Sequence, residues 1–313
     1  MISIIFPAYN EEHTVAELHA RIMVALSRMG EPFEIIAVNN ASVDGTRERL
    51  MRLSPIRIIS LAYNIGQSAG VDAGLHAARG DLVVVLDADL QNDPEDIPLL
   101  IGKLREGGYD AVMGWRKDRH DSSSRRLFSR IANGITRLVS GVALHDFGCA
   151  LKVFKRAQVA DIHLYGVMHV FIPVILSYRG ARIAEMPVRH SERRAGTSNY
   201  SFTHMASDIA DLLAIKFLYG YATRPLVFFG SLTVVSFVSA FLVVCVASLL
   251  KWNGLFGVTL GFSQTPLPVL ASLLVILGFL LFMLGFVVEL LIRIYYEARH
   301  ATPYQIQENI ERN

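Results

Sequence analysis

Apolar residues in the first 120 positions come in short unbroken runs. Ile2 to Phe6, Phe33 to Val38, Ile56 to Leu61, Leu82 to Leu86 and Ala111 to Gly114 each read as a strand. A run without polar alternation suits a strand covered on both faces, as in a parallel sheet. Between these runs, Thr14 to Met29 and Gln67 to Ala78 carry apolar residues at helical spacing. Strands that alternate with such helices predict an α/β domain on a mostly parallel, doubly wound, Rossmann-like sheet. A charged, serine-rich loop follows at Asp118 to Ser124, where Ser122 or Ser123 can cap a helix through Leu127 to Val139.

The pattern then changes. From Tyr200 to Tyr221 apolar residues recur at helical spacing beside Asp208, Asp211 and Lys216, which predicts amphipathic helices at a membrane surface. Pro225 to Leu250 contains no ionisable side chain except Cys245, and Leu267 to Val288 contains none. At about 1.5 Å per residue each can cross a hydrocarbon layer of roughly 30 Å. Two buried core helices would look similar, but no flanking sequence remains to cover them. The chain therefore divides into a catalytic domain at 1–199, interfacial helices at 200–223, a two-helix membrane region at 224–292 and a tail at 293–313. Lys216 and Arg224 precede the first span, and Arg293, Arg299 and His300 follow the second, which places both termini in the cytoplasm. Trp252, Tyr295 and Tyr296 are candidate interface anchors. Strand-like Ile2 to Phe6 directly after Met1 leaves no room for a signal peptide, so the large domain is expected in the cytoplasm.

Composition narrows the function. A net charge of +2 over 313 residues predicts no nucleic-acid partner. Two cysteines, Cys149 and Cys245, are too few for a cysteine metal site and lie in different parts of the chain. The fourth strand ends in Asp87-Ala88-Asp89-Leu90-Gln91. Two carboxylates one residue apart at the carboxyl edge of such a sheet can hold a hard divalent cation that also binds substrate phosphates. The first strand runs into Pro7-Ala8-Tyr9-Asn10-Glu11-Glu12, which offers a ring for a base to stack on. Asn10 or Glu12 could instead cap the helix starting near Thr14. The second strand ends in Asn39 to Thr46, with an ordinary turn at Asp44-Gly45. The third leads to Asn64-Ile65-Gly66-Gln67, where the glycine lets the backbone approach a neighbour. Four polar strand ends on one edge predict a metal-assisted nucleotide site.

Pro7 to Glu11, Val38 to Thr46, Asn64-x-Gly66-Gln67 and Asp87 to Gln91 together resemble the GT-A domain of the family-two glycosyltransferases. His145 to Cys149, Phe171-Ile172-Pro173, Glu185 to Val188 and Ser191 to Ser198 resemble the polyisoprenyl-phosphate glycosyltransferases among them. Among these the chain resembles the bacterial enzymes that carry 4-deoxy-4-formamido-L-arabinose to undecaprenyl phosphate, and the resemblance extends over essentially the whole chain.

The resemblance implies an inverting transfer of one sugar from a nucleotide sugar, UDP-linked and possibly an aminoarabinose derivative, to the phosphate of a membrane polyprenol. It implies a homo-oligomer in the bacterial inner membrane, a role in lipopolysaccharide modification, and Mg²⁺ or Mn²⁺ held by Asp87, Asp89 and Gln91. Pro7, Tyr9, Glu11, Asn40, Gln67 and Asp87 correspond to the nucleotide site. Arg116, Arg130 and Arg193 are the candidate phosphate ligands, with Arg126 and Arg194 as neighbours able to exchange roles. Asp146 matches a position given a catalytic role, and a positioning role through an arginine or the metal suits it better than that of a base. A polymerising polysaccharide synthase is the alternative enzyme reading, disfavoured by two spans and by the lack of a Gln-x-x-Arg-Trp motif. A catalytically weakened membrane scaffold is the alternative from another class. Relatives carry aspartates at Asn39-Asn40, and an asparagine can donate as well as accept, so looser base recognition is expected. Relatives also carry lysine at Asn199, whose charge Arg194 or Lys152 would have to replace. Asn199→Lys should lower the apparent KM for the lipid acceptor, and an unchanged KM would show that another cation already fills the place.

Overall fold

β1 (Ile2–Ala8), β2 (Phe33–Asn39), β3 (Arg57–Ser60), β4 (Leu82–Val85) and β5 (Ala111–Trp115) stand where the unbroken apolar runs stand. The computed structural model describes residues 1–117, 123–191, 210–221, 224–253 and 265–299. Within these, α1 (Val15–Ser27), α2 (Thr46–Leu50), α3 (Gln67–Ala77) and α4 (Ile97–Glu106) alternate with the strands. α5 (Ser123–Ser140), α6 (Arg156–Val159) and α7 (Met168–Tyr178) follow. Two strands were not expected: β6 (Lys152–Lys155) and β7 (Ile183–Pro187). The sheet order is β3-β2-β1-β4-β6-β5-β7. β6 runs antiparallel to β4 and β5, while every other pair is parallel.

β1 shows why the runs do not alternate. Ile2, Ile4, Phe6 and Ala8 enter a core with Leu18 and Ile22 of α1 and Leu100 and Ile101 of α4. Ile5 and Pro7 point the other way, onto α3. Ile4, Ile5 and Phe6 all have 0% exposure, so both faces are covered. Full burial of such a side chain is worth roughly 1.5–3 kcal/mol. Ser3 is the polar exception, and its hydroxyl donates to Glu34 Oε1 at 2.6 Å while accepting from Gly80 N at 2.8 Å.

Two glycines set the approach of α3. A Cβ at Gly70 would stand 2.8 Å from Pro7 Cβ, and one at Gly74 would collide with Ile5 Cγ2. Gly66 plays a different part from the one its sequence context suggested. No atom lies within 4 Å of where its Cβ would be, but its φ of +97° lies in the region that favours glycine. It turns the chain into α3 and does not make a close approach.

The chain forms two compact units, Met1–Lys216 and Phe217–Asn313. Residues 210–215 form α8, which passes into a π-helical turn at Lys216–Tyr221. The second unit is a hairpin of α9 (Pro225–Asn253) and α10 (Leu267–Arg299). Pro225–Leu250 and Leu267–Ile292, 26 residues each with mean hydropathy 2.5 and 2.8, are long and apolar enough to cross a membrane. α10 continues to Arg299, so the segment after 292 begins as helix, and residues 300–313 lie outside the described ones. The hairpin seam repeats every seven residues: Thr233, Ala240 and Ala247 are buried on α9, and Ala271 on α10 lies in step with Gly278 and Gly285. A Cβ at Gly278 would stand 2.5 Å from Phe237, and one at Gly285 2.7 Å from Phe229. Ser236 Oγ donates to Leu274 O across the seam at 2.7 Å. Small residues and interhelical hydrogen bonds suit a lipid setting, where apolar burial between helices gains little.

Gly74→Val should destabilise the sheet domain by about 1–3 kcal/mol through overpacking against Ile5. Gly102→Ala, in α4 with nothing within 4 Å of the added Cβ, should be neutral or stabilising by up to about 1 kcal/mol. Chemical unfolding of the two variants checks the contrast, and equal effects would contradict the packing described.

Candidate active site

The carboxyl ends of β1 to β5 and the start of antiparallel β6 lie along one sheet edge, so the loops from all six strands meet there. The β1 and β2 loops brace each other. Asn10 Oδ1 accepts from Val43 N at 2.9 Å, Asn10 N donates to Ser42 Oγ at 3.1 Å, and Glu11 N donates to Thr46 Oγ1 at 2.8 Å. Glu12 N donates to Asp44 Oδ2 at 3.2 Å and Glu12 Oε2 accepts from Gly45 N at 3.0 Å. Asn10 and Glu12 therefore do not cap α1, whose N-cap is Thr14 without a capping side-chain bond. Burial opposes ionisation of Asp44, yet hydrogen bonds from Thr46 and from the Glu12 N–H together hold its carboxyl below the usual range.

The end of β2 is tied to the start of α3. Gly66 N donates to Asn64 Oδ1 at 2.9 Å, so that oxygen is an acceptor and Asn40 Nδ2, 3.0 Å away, must be its donor. Asn40 Nδ2 also donates to Gly66 O at 3.1 Å. Both acceptors face the NH₂ group, which fixes the amide orientation and removes its donors from any base. Asn40 Oδ1 is buried and has no hydrogen-bond partner among the described residues. The donor half of the expected looser recognition is thus absent. Asn39 Oδ1 is likewise used locally, accepting from Ser42 N at 3.1 Å.

Gln67 Nε2 donates to Asp87 Oδ1 at 2.5 Å, so α3 and the end of β4 share the site. Asp89 is buried at 7% exposure, and its Oδ1 accepts from Gln91 N at 3.1 Å across Leu90, whose φ is +60°. The other non-glycine residues with positive φ among the described ones, Asn10 and Ala41, lie in the β1 and β2 loops of the same edge. Backbone held in sparsely populated regions tends to gather at functional sites. Asp87, Asp89 and Gln91 together offer carboxylate and amide oxygens, the donor types that Mg²⁺ and Mn²⁺ take. Ser191 N donates to Gln91 O at 2.9 Å, so residue 191 lies beside this motif. Arg193, Arg194 and Asn199 lie outside the described residues. Tyr9 is 43% exposed at the β1 end.

On the far side of β4 stands a chain of carboxylates. Arg116, directly after β5, grips Asp146 with a two-pronged fork: Nε to Oδ2 at 2.7 Å and a terminal nitrogen to Oδ1 at 2.8 Å. Asp146 Oδ1 also accepts from Gly148 N at 3.1 Å. Glu185 of β7 accepts from His145 N and Asp146 N, both at 2.9 Å, and from His145 Nδ1 at 2.7 Å. The His145 ring stacks on Trp115 with centroids 4.4 Å apart. Arg130 is exposed on α5, and Asn133, one turn on, accepts from Phe147 N at 3.3 Å.

Lys152 was a candidate to replace the missing charge at 199, but it is 4% exposed and its Nζ donates to His169 O at 2.8 Å. Pro173 explains that bond. A helical proline lacks the N–H that would reach the carbonyl four residues back, which here is His169 O, and the ammonium takes its place. Burial pulls the Lys152 pKa down to about 8, against the attraction of Cys149, Asp146 and Asp87. Burial first, then Lys152, push His169 down to about 3, so its imidazole is neutral. Its backbone N donates to Ser68 Oγ at 3.2 Å, which leaves the Ser68 hydroxyl proton for His169 Nδ1 at 2.7 Å. Cys149 is buried and burial pushes its thiol up to about 11, so it is inert. An internal proline marks which carbonyl lacks a donor, but nothing local marks which side chain supplies one.

Farther along α3, Asp72, His76 and His163 bring ligand atoms within 4.8 Å of one another. The two imidazoles stack at 4.8 Å with planes 14° apart. An ion lies near the plane of each ring that binds it, so rings in this arrangement cannot share one. Asp72 instead accepts from Leu164 N at 2.7 Å.

Comparison with known proteins places this geometry. The glycosyl transferase family 2 pattern matches residues 3–162. A dodecaprenyl-phosphate galacturonate synthase of Rhizobium johnstonii is 38% identical over 243 residues, 74% of this chain and 71% of that protein. An undecaprenyl-phosphate 4-deoxy-4-formamido-L-arabinose transferase of Edwardsiella ictaluri is 32% identical over 322 residues, 100% of this chain and 95% of that protein. Glucosyl-3-phosphoglycerate synthase of Mycobacterium tuberculosis, solved with Mn²⁺ and uridine-diphosphate-glucose, superposes with a TM-score of 0.55 at 20% identity. That match covers 69% of this chain and 78% of that one, and shows a shared fold.

The Lys152 pKa of about 8 lies below the ordinary 10.5. The unfolded chain therefore keeps this proton to higher pH than the folded one, and the stability tied to Lys152 rises as pH climbs from about 8 towards 10.5. Relative to Lys152→Met, the native chain should gain about 1–2 kcal/mol between pH 7 and pH 9.5. Urea unfolding at the two pH values reads the difference, and a constant gap would contradict the buried charge.

Proposed function

The chain belongs to glycosyl transferase family 2, and on that premise we propose that it moves one sugar from a nucleotide sugar to the phosphate of a membrane polyprenol such as undecaprenyl phosphate. One observation carries this reading: the Edwardsiella ictaluri match runs over 100% of the chain and so includes the apolar hairpin with the sheet domain. A phosphate on a polyprenol stays at the membrane surface, and an enzyme that uses it benefits from an anchor there.

In the reaction, an acceptor phosphate oxygen bonds to the anomeric carbon while the bond from that carbon to the donor's β-phosphate oxygen breaks. The centre inverts and a nucleoside diphosphate leaves. A phosphate monoester has a second pKa of about 6, so at neutral pH the acceptor is largely dianionic and needs no protein base. The fork between Asp146 and Arg116 supports a positioning role for the carboxylate. Asp87, Asp89 and Gln91 would hold Mg²⁺ or Mn²⁺, which would supply positive charge to balance the leaving diphosphate. Asp89 and the Leu90 turn orient the donor atoms, and Gln67 holds Asp87.

Arg116, Arg130 and Arg193 are assigned to phosphate oxygens, which the planar guanidinium suits. Pro7, Tyr9 and Glu11 line the base end. Asn40 Oδ1 is assigned to a base N–H. Uracil has such a donor at N3 and cytosine has an acceptor there, which favours a UDP-sugar over a CDP-sugar. The enzyme is assigned to the bacterial inner membrane as a homo-oligomer. Lys216 and Arg224 before α9, with Arg293 and Arg299 at the end of α10, set both flanks on the cytoplasmic side.

The test is incubation of the full chain with undecaprenyl phosphate, Mg²⁺ and a panel of UDP-, GDP- and CDP-sugars, followed by mass spectrometry of the lipid. A lipid carrying a single sugar from a UDP donor is expected, and a polymer or no product with every donor overturns the proposal. Chelator should abolish turnover and Mg²⁺ or Mn²⁺ restore it, while Asp89→Ala should lower kcat by about 10²-fold or more.

A further inference from the structure

Residues 141 to 151 cross from α5 to β6 without regular structure, yet they carry Asp146, the partner of Arg116. Such a segment holds a side chain in place only through tethers. Resting on the proposed transfer, we propose that Glu185 is a positioning residue: through the backbone of His145 and Asp146 it fixes the Asp146 carboxylate, and through that carboxylate the plane of the Arg116 guanidinium that meets phosphate.

The contacts run in one line. Glu185 sits on β7 opposite Met113 of β5, on rigid parallel pairing that places Trp115 against Pro187. Its side chain is 11% exposed. Oε1 accepts from the consecutive amides of His145 and Asp146, each at 2.9 Å, and Oε2 lies 3.0 Å from His145 N. An ionised carboxylate on two adjacent N–H groups clamps the peptide between them, with bonds stronger than neutral ones. One residue on, the Asp146 side chain, 3% exposed, takes Arg116 Nε and a terminal nitrogen and also accepts from Arg116 N at 3.3 Å. A guanidinium held by two parallel bonds cannot rotate about Nε, so its direction is set by Asp146, and that of Asp146 by Glu185. Asn133 adds a second tether at Phe147 N, but it stands on α5, not on the sheet. The His145 imidazole, 59% exposed, also bonds Glu185, at Oε2.

Non-additivity tests this. Glu185→Gln removes the negative charge that strengthens both amide bonds and sets an NH₂ group against His145 N, which lies 3.0 Å from Oε2, and should lower kcat/KM for sugar transfer at least tenfold. In an Arg116→Lys background, where no fork to Asp146 exists, the same change should cost less than twofold. A residue that merely stabilised the fold would lower both backgrounds by the same factor, and that result overturns the proposal. Glu185→Asp, which keeps the charge but falls one methylene short, gives the same cycle should Glu185→Gln not fold. His145→Ala keeps both backbone tethers and should stay within about twofold of the native rate. A loss as large as that of Glu185→Gln would mean that Glu185 acts through the imidazole, and would also overturn the proposal. If the native chain transfers no sugar to the lipid, the function itself has failed; if it does and the cycle is additive, only the role of Glu185 has.

Discussion

Burial of β1 on both faces is the constraint from which the site follows. With α1 and α4 on one side and α3 on the other, the strand has no solvent face on which to place a polar side chain. Its neighbours β2 and β4 are covered in the same way. Chemistry is then confined to the ends of the strands, where the chain leaves the sheet. Parallel pairing brings the carboxyl ends together, and antiparallel β6 adds its own start to the same edge. Gly70 and Gly74 belong to this constraint, since they let α3 come close enough to put Gln67 beside Asp87.

Loops that gather at a sheet edge have backbone donors but no ladder to satisfy them, and buried donors left without partners are costly. This chain meets that need largely with carboxylates. Glu12 and Asp44 cross between the β1 and β2 loops, Asp96 accepts from Arg189 N, and Glu185 holds residues 145 and 146. On the flank of the domain, Asp72 and Asp211 take the N–H groups of Leu164 and Val167. The residue type proposed to hold a cation at Asp87 and Asp89 therefore also builds the frame around them. A motif rich in acids does not by itself distinguish ligand from frame, and the partners decide. Lys152 is the converse case, a buried cation whose partner is a helix carbonyl left open by a proline.

The hairpin follows different physics. In a lipid setting apolar side chains gain little by facing each other, and the seam is made where one partner is small: Gly278 and Gly285 of α10 receive Phe237 and Phe229 of α9, and Ser236 Oγ reaches Leu274 O across it. Other bulky residues, Phe241 and Phe279 among them, stay on the outside, at 67% and 62% exposure.

Local pattern alone determined the five apolar strands, the helices α1 and α3 between them, the apolar spans and the acidic tip of the fourth strand, because burial on both faces and helical spacing are written within a few neighbouring residues. β6 was not legible. Lys-Val-Phe-Lys is too short to show a period, and its direction is set by β4 and β5 on either side. The amide orientation of Asn40, the bond from Lys152 to His169 O and the line from Glu185 to Arg116 join residues 24, 17 and up to 69 positions apart. Which donor meets which acceptor over such separations depends on how strands and helices are stacked in space, and only the tertiary structure decides that.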